Sequence, residues 1–235
     1  MKSYGQFCPV SKAAEILNER WTILIVRELL CGSRRFNDLR RGVPLMSPSL
    51  LSHRLRELQK YGVIERKCLG DTRGGEYCLT PAGEELRPIV MSFGEWGQRW
   101  VRSRIHEDDL DAGLLMWDMR RTIDAAAFPP QRTTVEFELF DTPEAERSWW
   151  LVVHDGEVEL CFDDPGFPVD LYVRSGLQTL TQIWMGDIAL AEARRRDLIE
   201  LQGGRGLIQA MPRWLTRSPF AGVRRPRERV YAAAS

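Results

Sequence analysis

Ser49, Ser52, His53, Arg56 and Lys60 recur at intervals of three and four residues, so on a helix they lie along one side. Short hydroxyls, an imidazole, a guanidinium and an ammonium on one side can meet base edges and phosphate oxygens, which is the chemistry a DNA major groove accepts. Arg34, Arg35, Arg54 and Arg73 lie around that run and suit phosphate contacts. Other chemistry is poorly served. The 3 histidines, His53, His106 and His154, have no carboxylate pair patterned around them, and the chain has neither a Gly-x-Ser-x-Gly elbow nor a phosphate-cradling Gly loop. A catalytic site needs a nucleophile with base and orienting group, or a metal with open coordination. The expectation is no enzyme, no cofactor and no metal.

The elements that must position these groups can be read from their flanks. Ser47 can accept from the free N–H groups of a helix start, and Pro48 has the φ of a first helical position. Leu51, Leu55 and Leu58, with Leu50 beside them, form an apolar stripe on the side away from the polar run. Gly62 can end the helix, and Val63 and Ile64 open a strand (VIERKC) that pairs through the Gly-rich loop LGDTRGG with a second (EYCLT). The hairpin tip carries Arg73, suited to phosphate or minor-groove contact. Upstream, Val10, Ala13, Ala14 and Leu17 predict a first helix, and Trp21 to Leu30 predicts a central helix apolar on nearly all faces and ended by Gly32. Phe36 to Arg41 predicts a short helix before the turn Gly42 to Met46. The order is helix, helix, helix, turn, recognition helix, wing.

The run Cys8-Pro9-Val10, then Trp21-Thr22, Arg35-Phe36-Asn37-Asp38-Leu39, Ser47-Pro48-Ser49-Leu50-Leu51-Ser52, Leu55 with Leu58, Gly62-Val63-Ile64 and Tyr77-Cys78-Leu79-Thr80-Pro81-Ala82-Gly83 resembles the HxlR-type transcriptional regulators, a winged-helix group related to the MarR regulators. The resemblance covers about the first hundred residues. It implies binding of double-stranded operator DNA as a homodimer, with dimer contacts from the terminal helices, here the first helix and a helix from Pro81 to about Ile105. Some of these regulators use a cysteine at the Cys-Pro position as a redox or electrophile sensor, which implies that role for Cys8. Lys2, Lys12 and the helix start would favour its thiolate; the alternative is a Cys8 that only packs at a dimer contact.

Charge divides the chain. Residues 1–105 carry 18 Lys and Arg against 11 Asp and Glu, and residues 106–235 carry 15 against 22. A basic front and an acidic back suit a protein that holds polyanionic DNA with one module. At 235 residues with 43% apolar content, two cores are expected. No run approaches a membrane span and the N-terminus lacks a secretory apolar stretch, so a soluble cytoplasmic protein without a membrane partner is expected. The 5 cysteines, Cys8, Cys31, Cys68, Cys78 and Cys161, are odd in number and lack metal-ligand spacing.

After the charged hinge at His106 to Gly113, Leu114 to Ile123 predicts a helix with Leu115, Met119 and Ile123 on one face, stopped at Phe128-Pro129-Pro130. Thr133 to Phe140 alternates strictly, Trp149–Val153 and Val158–Phe162 flank a hairpin at Asp155-Gly156, and Val169, Leu171 and Val173 predict a fourth strand. Helices at Leu177–Trp184 and Ile188–Arg194, a strand at Leu198–Leu201 and a last helix at Gly206–Leu215 follow. This predicts an antiparallel sheet with helices on one face. The order from Trp184-Met185-Gly186-Asp187 through Ala189-Leu190-Ala191-Glu192-Ala193 to Leu198-Ile199-Glu200-Leu201-Gln202-Gly203 is similar to the sterol-carrier-protein type of lipid-binding domain. That resemblance implies an apolar tunnel for a hydrophobic ligand, with Trp117, Phe137, Trp149, Phe162 and Trp184 as wall residues; alternatively these aromatics fill the core. From Thr216 onward clustered Arg, Pro and Gly predict a disordered tail.

The expected fold class is thus α+β, with a winged helix-turn-helix domain at 1–105, a sterol-carrier-like α+β domain at 106–215 and a tail at 216–235. The expected DNA-facing set is Arg34, Arg35, Ser47, Ser49, Ser52, His53, Arg54, Arg56 and Arg73. The expected function is a dimeric regulator, acting as a repressor, whose second domain senses a hydrophobic small molecule; the alternative is a switch through Cys8 with a purely structural second domain.

Overall fold

Leu51, Leu55 and Leu58 are each at most 1% exposed, so the stripe that defines the fourth helix is the inner face of the first core. The computed structural model describes residues 3–67, 75–101 and 109–224, and the chain divides into two compact units, Met1–Gly94 and Glu95–Ser235.

In the first unit α1 spans Pro9–Leu17, α2 Thr22–Leu30, α3 Phe36–Gly42 and α4 Pro48–Lys60; β1 (Ile64–Lys67) and β2 (Glu76–Leu79) follow, then α5 (Pro81–Glu84) and α6 (Arg87–Trp96). The two strands pair antiparallel, Ile64 opposite Leu79 and Lys67 opposite Glu76. The core gathers Ile25, Val26 and Leu29 of α2, Leu39 of α3, the α4 leucines and Ile64 of β1. Burial of α2 is one-sided, for Leu24 is 37% exposed although the sequence is apolar on nearly all faces. Trp21 precedes α2 at φ +79°, a left-handed conformation unusual for a bulky residue.

The single helix expected from Pro81 to Ile105 is interrupted. α5 ends at Glu84, α6 begins at Arg87, and a π-type turn occupies Gly97–Val101. Pro88 supplies the reason: it has no N–H to donate to the carbonyl four residues back and its ring collides there, so it is tolerated only in a first turn. Residues 102–105 lie outside the described residues.

The second unit is built on a five-stranded sheet in the order β5-β4-β3-β6-β7, where β3 is Thr133–Leu139, β4 Ser148–His154, β5 Glu157–Cys161, β6 Leu171–Ser175 and β7 Ile199–Gly203. The β4–β5 hairpin turns at Asp155 and Gly156, φ +52° and +77°, the pair of positive values that the tight turn requires. The expectation of an antiparallel sheet is corrected to a mixed one, because β6 runs parallel to β3, Val135 opposite Leu171. The hairpin already occupies one edge of β3, so the chain crosses back through residues 162–170 and adds β6 at the other edge in the same direction as β3.

The helices are α7 (Ala112–Thr122), α8 (Leu177–Trp184), α9 (Leu190–Arg195) and α10 (Arg205–Trp214). Val135, Phe137 and Leu139 of β3 join Leu115, Met116 and Met119 of α7, Leu180 of α8 and Met211 and Trp214 of α10 in one core. Asp111 caps α7, accepting from the Leu114 N–H at 2.7 Å. α7 stops at Thr122, ahead of the Phe128-Pro129-Pro130 signal, and a 3-10 turn at Ala125–Ala127 follows. The described part of the tail expected to be disordered, Thr216 to Arg224, is hydrogen-bonded to the second unit. The Thr216 hydroxyl donates to the Thr122 carbonyl, the Ser218 N–H donates to the Trp184 carbonyl at 2.8 Å, and Ser218 is buried. Residues 225–235 lie outside the described residues. Among the described residues no helix is long and apolar enough to cross a membrane.

Candidate nucleic-acid interface

The start of α4 is organised by Ser47, whose Oγ accepts from the Leu50 N–H at 3.3 Å and lies 3.2 Å from the Ser49 hydroxyl. A capped start holds the first turn, which in a recognition helix is the part that enters the groove. With the leucines inward, Ser49, His53, Arg56 and Lys60 are exposed and Ser52 is half-buried. These five therefore share the open side of α4 as their spacing requires.

The arginines divide into two groups. Arg54 projects sideways to Glu19, Nη2 to Oε2 2.6 Å, with its side chain only 13% exposed. Arg34 donates to the Leu29 carbonyl at 2.8 Å, while its own carbonyl accepts from the Tyr77 N–H at 2.8 Å. Both tie elements of the first unit together: Arg54 links α4 to the turn before α2, and Arg34 links the end of α2 to the wing. Arg35 is 73% exposed, with Glu76 at 3.8 Å, and Arg56 is exposed, so both side chains are open to solvent. Arg73 lies outside the described residues. The wing strands add Arg66, whose guanidinium lies 5.8 Å from the Tyr77 ring centre, and Lys67, which hydrogen bonding to Glu65 holds above the usual lysine range.

Sequence reasoning missed the groups that hold the α2–α3 angle. Glu28 is fully buried in α2, with Arg27 Nη2 at 2.5 Å and the Ser33 hydroxyl at 3.2 Å. Gly42 closes α3 directly over it: a Cβ there would lie 1.8 Å from the Glu28 carboxyl carbon. The available signal was the Arg27-Glu28 pair inside the largely apolar run WTILIVRELL, for a buried charge in such a setting is retained only with partners.

Cys8 sits immediately before α1 and is exposed, as is Cys31. Lys12, expected to favour the Cys8 thiolate, is bound instead to Glu15 at 3.0 Å, and that contact is the main reason the Glu15 carboxyl sits below its ordinary range. Lys2 lies outside the described residues. Burial pushes the Cys161 thiol up, and Glu159 adds to it.

In the second unit, three of the five aromatics expected to wall a tunnel are buried in the packed interior, Trp184 is half-buried and Phe162 is 41% exposed. Trp117, Phe137 and Trp149 are at most 6% exposed. The Trp149 indole N–H donates to the Glu146 carbonyl at 2.7 Å, that of Trp184 to the Thr122 hydroxyl at 3.2 Å, and Phe162 lies edge-on to Trp149 with ring centres 5.3 Å apart. A groove of about 390 Å³ is found elsewhere in the unit, lined by Ala127, Arg132, Asp170, Gly206, Leu207 and Arg213 among others. None of the five aromatics borders it.

The sequence of the first unit has known relatives. The model of the HxlR-like helix-turn-helix matches residues 16–105. An uncharacterized HTH-type transcriptional regulator of Bacillus subtilis, YvaP, is 40% identical over 99 residues, covering 41% of this chain and 92% of its own. A second, sll1512 of Synechocystis, is 33% identical over 110 residues, covering 46% of this chain and 82% of its own. Among solved structures, the redox regulator HypR in its reduced form is 32% identical over 39% of this chain and 91% of its own, with a TM-score of 0.37. With Ser47 capping α4, the leucine stripe buried and the wing strands in register, the chain belongs to the HxlR-like helix-turn-helix family.

Proposed function

We propose that the chain is a transcriptional regulator that binds double-stranded operator DNA as a homodimer, represses from it in the cytoplasm, and releases it when a hydrophobic small molecule occupies the second unit. The DNA reading rests on one observation above the others: the open side of α4 carries Ser49, His53 and Arg56 while its opposite side is pinned in the core. In this reading Ser49, Ser52 and His53 meet base edges, Arg56 reads or clamps the duplex, and Arg35 and Arg73 hold phosphates. Arg34 and Arg54 act from within the fold by positioning α4 and the wing.

Support for a dimer comes from apolar surface on and just before the terminal helices: Phe7, ahead of α1, is 98% exposed, and Val10, Ile89, Phe93 and Trp96 are each more than half exposed. Such surface is costly to leave in water. The second unit, a sheet with helices packed on it, is the sensing module of this reading, in the manner of a sterol-carrier-like domain. A second reading, a thiol switch, is favoured by the exposure of Cys8; replacing Cys8 by Ser abolishes an oxidant response only in that case.

Selection of duplexes from a random pool, followed by fluorescence anisotropy, tests the proposal. Enriched sequences should contain two inverted half-sites with centres about 10 base pairs or a multiple apart, and affinity should fall steeply with salt. A purified chain that prefers no duplex sequence at low ionic strength refutes it.

A further inference from the structure

The groove of the second unit lies where the 3-10 turn Ala125–Ala127, the segment before β3 and the start of α10 come together. Its apolar lining is Ala127, Pro129, Leu207 and Ala210, with Ala210 only 6% exposed. Its volume of about 390 Å³ falls in the range of small-molecule sites, roughly 300–1,000 Å³.

Two arginines are among its lining residues, Arg132 and Arg213. Arg132 is oriented by stacking, its guanidinium 4.3 Å from the Phe167 ring centre. The carboxylate among the lining residues, Asp170, accepts at Oδ2 from the Thr134 N–H at 2.9 Å and keeps its charge, so the two arginines leave the lining with a net positive charge. The start of α10 adds potential of the same sign. Its N-cap is Gly204, with no side-chain cap, and the Gly204 N–H is itself donated to the Asp170 carbonyl at 3.1 Å. Gly206 opens onto the groove: a Cβ built there meets nothing within 4 Å.

We infer that this groove is a binding site for an amphipathic monoanion, a carboxylate on an aliphatic chain, with the acid held between Arg132 and Arg213 and the chain laid on Ala127, Pro129, Leu207 and Ala210. A neutral apolar molecule satisfies the floor and leaves both guanidiniums to water; an amine meets two like charges. The inference deepens the effector reading above and rests on it only for the consequence at the operator.

The test is calorimetric titration of the full chain with decanoate, decanol and decylamine below their aggregation concentrations. Decanoate should bind saturably at one site per chain, decanol at least about tenfold more weakly, since charge-assisted contacts to an ion are worth more than neutral ones, and decylamine not at all. Arg132→Ala with Arg213→Ala should weaken decanoate by about tenfold or more. Gly206→Leu, whose Cβ meets nothing within 4 Å, should obstruct the groove and abolish binding with the fold retained by circular dichroism. Decanoate that does not bind, binds no better than decanol, or binds Gly206→Leu unchanged overturns the assignment. Decanoate that binds as described while duplex affinity stays constant upholds the site and refutes the effector reading alone.

Discussion

Replacing Gly42 by Ala tests the idea that a buried carboxylate sets the geometry of the DNA-binding unit. The new Cβ would stand 1.8 Å from Glu28 Cδ and 2.0 and 2.4 Å from its two oxygens, so the methyl and the carboxylate cannot both keep their places. If the carboxylate turns away, Arg27 and Ser33 lose their contact with it and a fully buried charge is left underpaired, a loss of about 3–5 kcal/mol. If α3 shifts outward, the cost is that of an overpacked core, about 1–3 kcal/mol. A value near 3 kcal/mol is expected between these routes, and at about 1.4 kcal/mol per decade it accelerates amide exchange in α2 roughly a hundredfold. Hydrogen exchange of the full chain, read on peptides covering Thr22–Leu30, measures it, and peptides covering β6 serve as an internal control. In a Glu28→Ala background the conflict is gone, so Gly42→Ala should then cost less than about 1 kcal/mol. An unchanged exchange rate in α2, or the same penalty with and without Glu28, refutes the reasoning.

Arg56→Ala should lower duplex affinity by at least about tenfold while α2 exchange stays unchanged, whereas Arg54→Ala should speed exchange around α1 and α4 by releasing Glu19; a reversal of the two phenotypes refutes the assignment of Arg54 to the fold. Ser47→Ala should destabilise the start of α4 by about 1 kcal/mol, seen as faster exchange confined to its first turns. Iodoacetamide at mildly alkaline pH should modify exposed Cys8 and Cys31 well before Cys161, because burial raises the Cys161 thiol and leaves less thiolate to react. Mass-spectrometric mapping in which Cys161 reacts first contradicts this.

The first unit was legible in the sequence because its signals are local. A cap at Ser47, leucines at three and four residues, a glycine at Gly62 and two short strands each report on neighbouring residues, and the same periodicity that buries Leu51, Leu55 and Leu58 turns Ser49, His53 and Arg56 outward. The Asp155-Gly156 hairpin was readable for the same reason. What tertiary structure alone decided depends on residues distant in the chain. Spacing cannot show that Arg54 is paired with Glu19 or that Arg34 donates to the Leu29 carbonyl, because both partners come from other elements of the fold. The parallel pairing of β3 with β6 follows from which sheet edge remained free, and the groove between Arg132 and Arg213 exists because residues some eighty positions apart in sequence close over one apolar floor. Local periodicity dictates which side of an element is buried; which partner each charge finds is settled only when the elements pack, since that energy depends on distances that no single segment contains.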